Sequence, residues 1–88
     1  MKVSMKGLES VVELLKEMTE DRTIPRNVRR VAERGKQILL DEKSSLELRV
    51  SSVIQLFDET TNDPNLPIHA RTRIWNVLSL LEQVRREA

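Results

Sequence analysis

Apolar residues recur in this chain at intervals of three and four over four separate stretches, the spacing that lines one face of an α-helix. Leu8, Val11, Val12, Leu15 and Met18 form the first stripe and predict a helix from about Met5 to about Glu20. Thr23-Ile24-Pro25 interrupts it. Proline holds the preceding residue extended and is tolerated only in the first turn of a helix, so the second helix begins near Pro25. Its stripe is Val28, Val31, Ala32, Gly35, Ile38 and Leu39, and it ends near Asp41. Ser44-Ser45-Leu46-Glu47 then reads as a capping box, with Ser44 as N-cap and Glu47 three residues on. The third stripe is Leu46, Val50, Val53, Ile54 and Phe57, broken by Asn62-Asp63-Pro64-Asn65. A fourth helix runs from Pro67 to about Arg86 on Ala70, Ile74, Val77, Leu78, Leu81 and Val84. No alternating strand pattern is present.

The first two helices repeat in the last two. Shifting the chain by 42 residues aligns 8–42 with 50–84 and gives nine identities in 35 positions, Asp21/Asp63, Pro25/Pro67 and Arg29/Arg71 among them. Apolar positions follow, as in Val12 with Ile54, Leu15 with Phe57 and Ile24 with Leu66. A repeat of this kind is one supersecondary unit that cannot bury its own apolar face, so the two copies are expected to pack on each other. The connections are short, which favours antiparallel neighbours. The expected fold is therefore all-α, residues 1–88 forming a single helical domain, a four-helix up-and-down bundle made of two repeated hairpins. The alternative is an open two-repeat stack of the HEAT kind. Gly35, inside the second helix, is expected to permit close helix packing.

Composition agrees with a small helical domain and narrows what it can do. The chain has 88 residues, 33% charged and 2% aromatic, with two glycines. Fifteen basic and fourteen acidic side chains leave a net charge of +1, so no global attraction to nucleic acid or anionic membrane follows. Absence of cysteine excludes disulfides, zinc-thiolate sites and cysteine nucleophiles. No stretch approaches the roughly 18 apolar residues of a membrane span, and the start of the chain reaches Glu9 before any apolar run of signal-peptide length. A cytoplasmic protein is expected.

The charges are segregated. Between Arg22 and Lys36 stand Arg22, Arg26, Arg29, Arg30, Arg34 and Lys36 against one acid, Glu33. The economical reading pairs Asp21 with Arg29 and Asp63 with Arg71, so that Asp21, Pro25, Arg29, Asp63, Pro67 and Arg71 brace the two repeated turns. A second reading starts from a conflict with the helix dipole, which disfavours cations at a helix N-terminus. Arg26, Arg29 and Arg30 nevertheless open helix two, and His69, Arg71 and Arg73 open helix four. Arg26, Arg29, Arg30, Arg71 and Arg73 are therefore the candidate contacts for an anion such as nucleic-acid phosphate. The aromatic platforms that single strands stack on are nearly absent, with only Trp75 off the core stripes.

Ile68, Trp75 and Leu80 widen the apolar arc of helix four beyond its core stripe, which suits either packing at the core edge or a protein interface, including a homodimer through that helix. His69, the sole histidine, falls on the polar side of the same helix, where it is expected to brace the turn near Asp63. It lacks the companion nitrogen or sulfur ligands of a metal site. Neither a Gly-rich phosphate loop nor a nucleophile elbow occurs. No cofactor, catalytic residue, metal site or small-molecule substrate is expected. The expectation is a non-enzymatic protein-interaction or adaptor module, with an accessory nucleic-acid-binding protein as the alternative.

Thr23-Ile24-Pro25-Arg26-Asn27-Val28-Arg29-Arg30, and still more the run from Asp63 to Asn76 with its Pro67, Arg71, Arg73 and Trp75, resembles uncharacterised protein family 0147, small archaeal proteins. The resemblance covers nearly the whole chain. It implies an all-helical archaeal cytoplasmic protein and carries over no activity.

Overall fold

The computed structural model describes residues 5–87; the first residues weighed above as a leader lie outside them. Four helices follow in order: α1 Met5–Glu20, α2 Arg26–Leu40, α3 Leu46–Thr60 and α4 Ile68–Glu87. Each packs against its two neighbours in a ring, α1 on α2, α2 on α3, α3 on α4 and α4 back on α1. The contact of α1 with α4 closes the bundle and sets aside the open HEAT-like stack. The molecule measures 40 × 20 × 19 Å, one helix long and two helices across.

Burial explains why the four stripes became helices of this bundle. Val11, Leu15 and Met18 of α1 and Val28, Ala32 and Leu39 of α2 are buried. So are Val50, Val53 and Phe57 of α3 and Ala70, Ile74, Val77, Leu81 and Val84 of α4. No polar or charged side chain is buried with them among the described residues. Ile24 and Leu66, in the α1–α2 and α3–α4 turns, are buried as well and plug one end of this core. Their counterpart in the α2–α3 turn is Ser44, polar and only half-buried.

Phe57 sits where α2 comes closest. A methyl added at Gly35 would stand 3.1 Å from Phe57 Cε2, 3.3 Å from Val53 Cγ1 and 3.6 Å from Leu15 Cδ1. Gly35 is therefore favoured by the close approach of α2 to the Phe57 ring, not by its backbone angles, since it lies within a regular helix. Helix three begins one residue later than its sequence suggests. Ser45, not Ser44, is the N-cap, and its Oγ accepts from the Leu48 N–H at 3.2 Å.

Gly35→Leu would drive three further carbons into Phe57 and Val53 and is expected to destabilise by about 1–3 kcal/mol. Phe57→Ala, which empties the same space, is expected to cost about 3–5 kcal/mol. Urea unfolding monitored by circular dichroism measures both.

Candidate functional site

The turns carry most of the specific polar geometry, and there are three alike where the repeat of 42 had suggested two. In each, an aspartate opens the turn and its Oδ1 accepts from the N–H two residues on: Asp21 from Thr23 at 2.8 Å, Asp41 from Lys43 at 3.0 Å, Asp63 from Asn65 at 2.9 Å. The N–H three residues after each aspartate bonds the aspartate carbonyl, from Ile24 at 3.4 Å, Ser44 at 3.4 Å and Leu66 at 3.2 Å. The next residue, Pro25, Ser45 or Pro67, leads into the following helix, and its carbonyl takes the first helical bond from Arg29, Arg49 or Arg71 at 3.0 Å. Pro25 at φ −58°, ψ 150° and Ser45 at φ −62°, ψ 153° hold the same backbone conformation. A serine thus performs by side-chain capping what proline performs by its locked φ.

Eight residues after each aspartate stands a half-buried arginine, Arg29, Arg49 and Arg71. Arg71 donates from Nη1 to the Thr61 carbonyl at 2.9 Å and from Nη2 to the Asp63 carbonyl at 3.3 Å. Arg49 donates from Nη1 to the Leu39 carbonyl at 2.7 Å and from Nε to the Ser45 carbonyl at 3.4 Å. These guanidinium groups satisfy terminal carbonyls of the preceding helix, where a cation is favoured. That resolves the dipole conflict for Arg71, which belongs to the start of one helix but serves the end of another. The expected pairs of Asp21 with Arg29 and of Asp63 with Arg71 are not made between carboxylate and guanidinium. Arg29, the third member, has its Nε buried with no hydrogen-bond partner.

Because the bundle runs up and down, the α1–α2 and α3–α4 turns share an end, and they are tied across it. Arg73 Nη2 lies 3.0 Å from Asp21 Oδ2, and a ring nitrogen of His69 meets the Thr23 carbonyl at 2.7 Å. His69 therefore braces the first turn and not, as expected, the one beside Asp63. The Thr23 hydroxyl, 2.6 Å from Asp21 Oδ1, and the Thr23 N–H hold the Asp21 carboxyl below its ordinary 3.8. The Arg73 and His69 charges act in the same direction, against the opposing effect of partial desolvation.

Of the five basic residues considered for an anion, Arg71 and Arg73 are engaged internally and Arg29 is half-buried, so the five do not form one site. Arg26 and Arg30 remain exposed. Arg22 and Arg34, exposed too, continue their spacing of four residues. On α4, Ile68 is 82% exposed and Trp75 56%, whereas Leu80 is half-buried and packs on the core. Trp75 therefore stands outside the core edge. Among the described residues no cluster of His, Cys, Asp and Glu could hold a metal ion, and no helix is long and apolar enough to cross a membrane.

The model of uncharacterised protein family UPF0147 matches residues 1–84. The chain belongs to this family. The UPF0147 protein of Methanothermobacter thermautotrophicus is 45% identical over 83 residues, covering 94% of this chain and 81% of its own. That of Thermococcus kodakarensis is 43% identical over 79 residues, covering 89% of this chain and 95% of its own. Both are archaeal. A crystal structure of the UPF0147 protein from Thermoplasma acidophilum superposes with a TM-score of 0.90 at 40% identity, covering 96% of this chain and 99% of that one. The Thermoplasma acidophilum relative shares the all-helical fold, and the family is uncharacterised.

The middle turn escapes a search at 42 residues because it lies 20 residues after the first turn and 22 before the third, and its Ser44-Ser45 also differs from their Ile-Pro and Leu-Pro. Its signal is an aspartate followed by an arginine eight residues on, at 21/29, 41/49 and 63/71.

Arg49→Met and Arg71→Met are each expected to lower unfolding free energy by about 1–2 kcal/mol, since helix-end carbonyls lose charged donors. Arg29→Met, which frees a buried unpartnered N–H, is expected to cost less than either or to stabilise. Equal losses at all three positions would show that the bonds at Arg49 and Arg71 contribute nothing specific. A depressed carboxyl stabilises the fold above its unfolded pKa, and this contribution is lost as pH falls through the lower folded value. The stability gap between wild type and Asp21→Asn is thus expected to close below about pH 3.8, measured by urea midpoints from about pH 6 to about pH 2.

Proposed function

We propose that this UPF0147 protein is a non-enzymatic interaction module that binds another protein through the outer face of α4. The observation that carries this reading is the exposure of Ile68 and Trp75, seven residues and two helical turns apart on one face. Tryptophan is the residue most favoured at the energetic centre of interfaces, where burial of its large ring contributes more than its neighbours do. Thr72 and Ser79, exposed at the spacing that shares this face, carry no charge, so its first three turns suit an apolar partner surface. A second copy is one such partner, since a two-fold axis would bring the same face against itself.

The α2 arginines favour a second reading. Arg26, Arg30 and Arg34 are exposed at every fourth residue of α2, Arg22 is exposed in the turn before it, and none of the four makes an ion pair among the described residues. Like charges at this spacing on a helix destabilise it by roughly 0.2–0.5 kcal/mol per pair. A nucleic-acid backbone would offset that repulsion.

Ile68→Glu with Trp75→Glu is expected to abolish partner capture from an archaeal extract while leaving the helical signal and thermal midpoint unchanged. Trp75 emission is expected to shift to the blue when the partner binds. Capture that survives the double substitution rejects the α4 reading. Duplex or single-stranded binding that persists at about 200 mM salt and disappears with Arg26→Glu and Arg30→Glu would put the nucleic-acid reading first.

A further inference from the structure

We propose that the open groove between the first turns of α1 and the last turn of α2 docks a basic amphipathic segment of a partner protein. Its floor is apolar, Leu8 and Val12 from α1 and Leu39 and Leu40 from α2, around a space of about 470 Å³. Leu40 is 57% exposed there. Among the described residues no buried apolar turn residue caps this end of the bundle. Ile24 and Leu66 seal the opposite end, whereas the turn after α2 offers the polar Ser44 at the equivalent position.

Charge selects the occupant. Glu9 and Glu13, one turn apart on α1, and Glu42 in the turn line the same groove. None of these carboxylates forms an ion pair among the described residues, whereas Asp21, Glu33 and Glu82 each do. Among the described residues Arg49 is the one cation of the lining; it bonds the Leu39 and Ser45 carbonyls, forms no ion pair with the three acids, and leaves them in excess. An apolar floor between unpaired carboxylates complements a helix whose leucines enter the groove while flanking lysines or arginines lay their methylene stems along it and meet the acids. A polyanion or an anionic lipid surface is repelled by the same three groups. A small-molecule pocket would set convergent polar groups inside an apolar cavity, and here the acids that remain uncommitted are on exposed residues. The groove lies at the opposite end of the bundle from Ile68, so it is a surface distinct from the α4 face.

The probe is a synthetic helical peptide of about three turns with leucines at heptad spacing and lysines beside them, titrated into the isotopically labelled protein and followed by amide chemical shifts. Shifts are expected to cluster at Leu8, Val12, Leu39 and Leu40. Affinity is expected to fall at least about tenfold in Glu9→Lys/Glu13→Lys/Glu42→Lys, and by a smaller factor in the matching Gln variant, with unchanged helical circular dichroism. The same peptide with glutamates in place of lysines is expected not to bind. The proposal is overturned if the shifts centre on Ile68 and Trp75, if the charge-reversed protein binds as tightly as wild type, or if the acidic peptide binds equally. It is also overturned if diluting the protein alone moves the four groove amides, because a second copy would then be the occupant.

Discussion

Each of the first three helices ends on carbonyls that have no partner within the helix, and the chain must reverse at once. The bundle depends on how those ends are satisfied. An aspartate folds each turn onto itself, a proline or serine sets the entry to the next helix, and in the second and third turns an arginine eight residues after the aspartate reaches back to the carbonyls just left. Local and tertiary demands are met within the same nine-residue stretch. With the helix ends fixed in this way, antiparallel neighbours follow, and the apolar stripes have one way to face inward.

The inward face is dry and well filled. Phe57 occupies the volume that Gly35 leaves empty, and this pairing of the largest side chain of the α3 stripe with a residue lacking a side chain on α2 sets the distance between the two helices. Closing the ring with α1 on α4 buries the stripes of all four helices. The outer faces left by this packing are unequal: an apolar pair on α4, a line of arginines on α2, an acidic margin on α1. The asymmetry lies where the repeated hairpins differ, as at Arg26 against Ile68 and Glu33 against Trp75.

Much of this was legible before any coordinates. Periodicity located α1 from Met5 to Glu20 at both ends, and it located the later helices to within a residue or so. The turn chemistry was only half legible. Asp21 and Arg29 look like a pair because they are close in sequence, but Asp21 joins Arg73, 52 residues away, because the up-and-down path brings the first and third turns to one end. His69 reaches Thr23 for the same reason. The capping box with Glu47 pointed to Ser44 as the cap, and the cap at Ser45 follows from where the Asp41 turn delivers the chain. Among the candidate site residues, sequence could group Arg26 with Arg71 by repeat position. It could not show that Arg71 is committed to carbonyls while Arg26 is free.

By itself, then, the sequence determined what is decided by near neighbours: four helices, their inward stripes, the turns between them and membership of an all-helical family. Spacing of three and four, proline geometry and aspartate turns act within a few residues and need no fold to operate. The tertiary structure alone decided which cations are spent on helix ends, which apolar side chains on α4 stay exposed, and that one end of the core is plugged while the other opens as an acid-lined groove. Those outcomes depend on pairs of residues that only the closed ring of helices brings within contact distance.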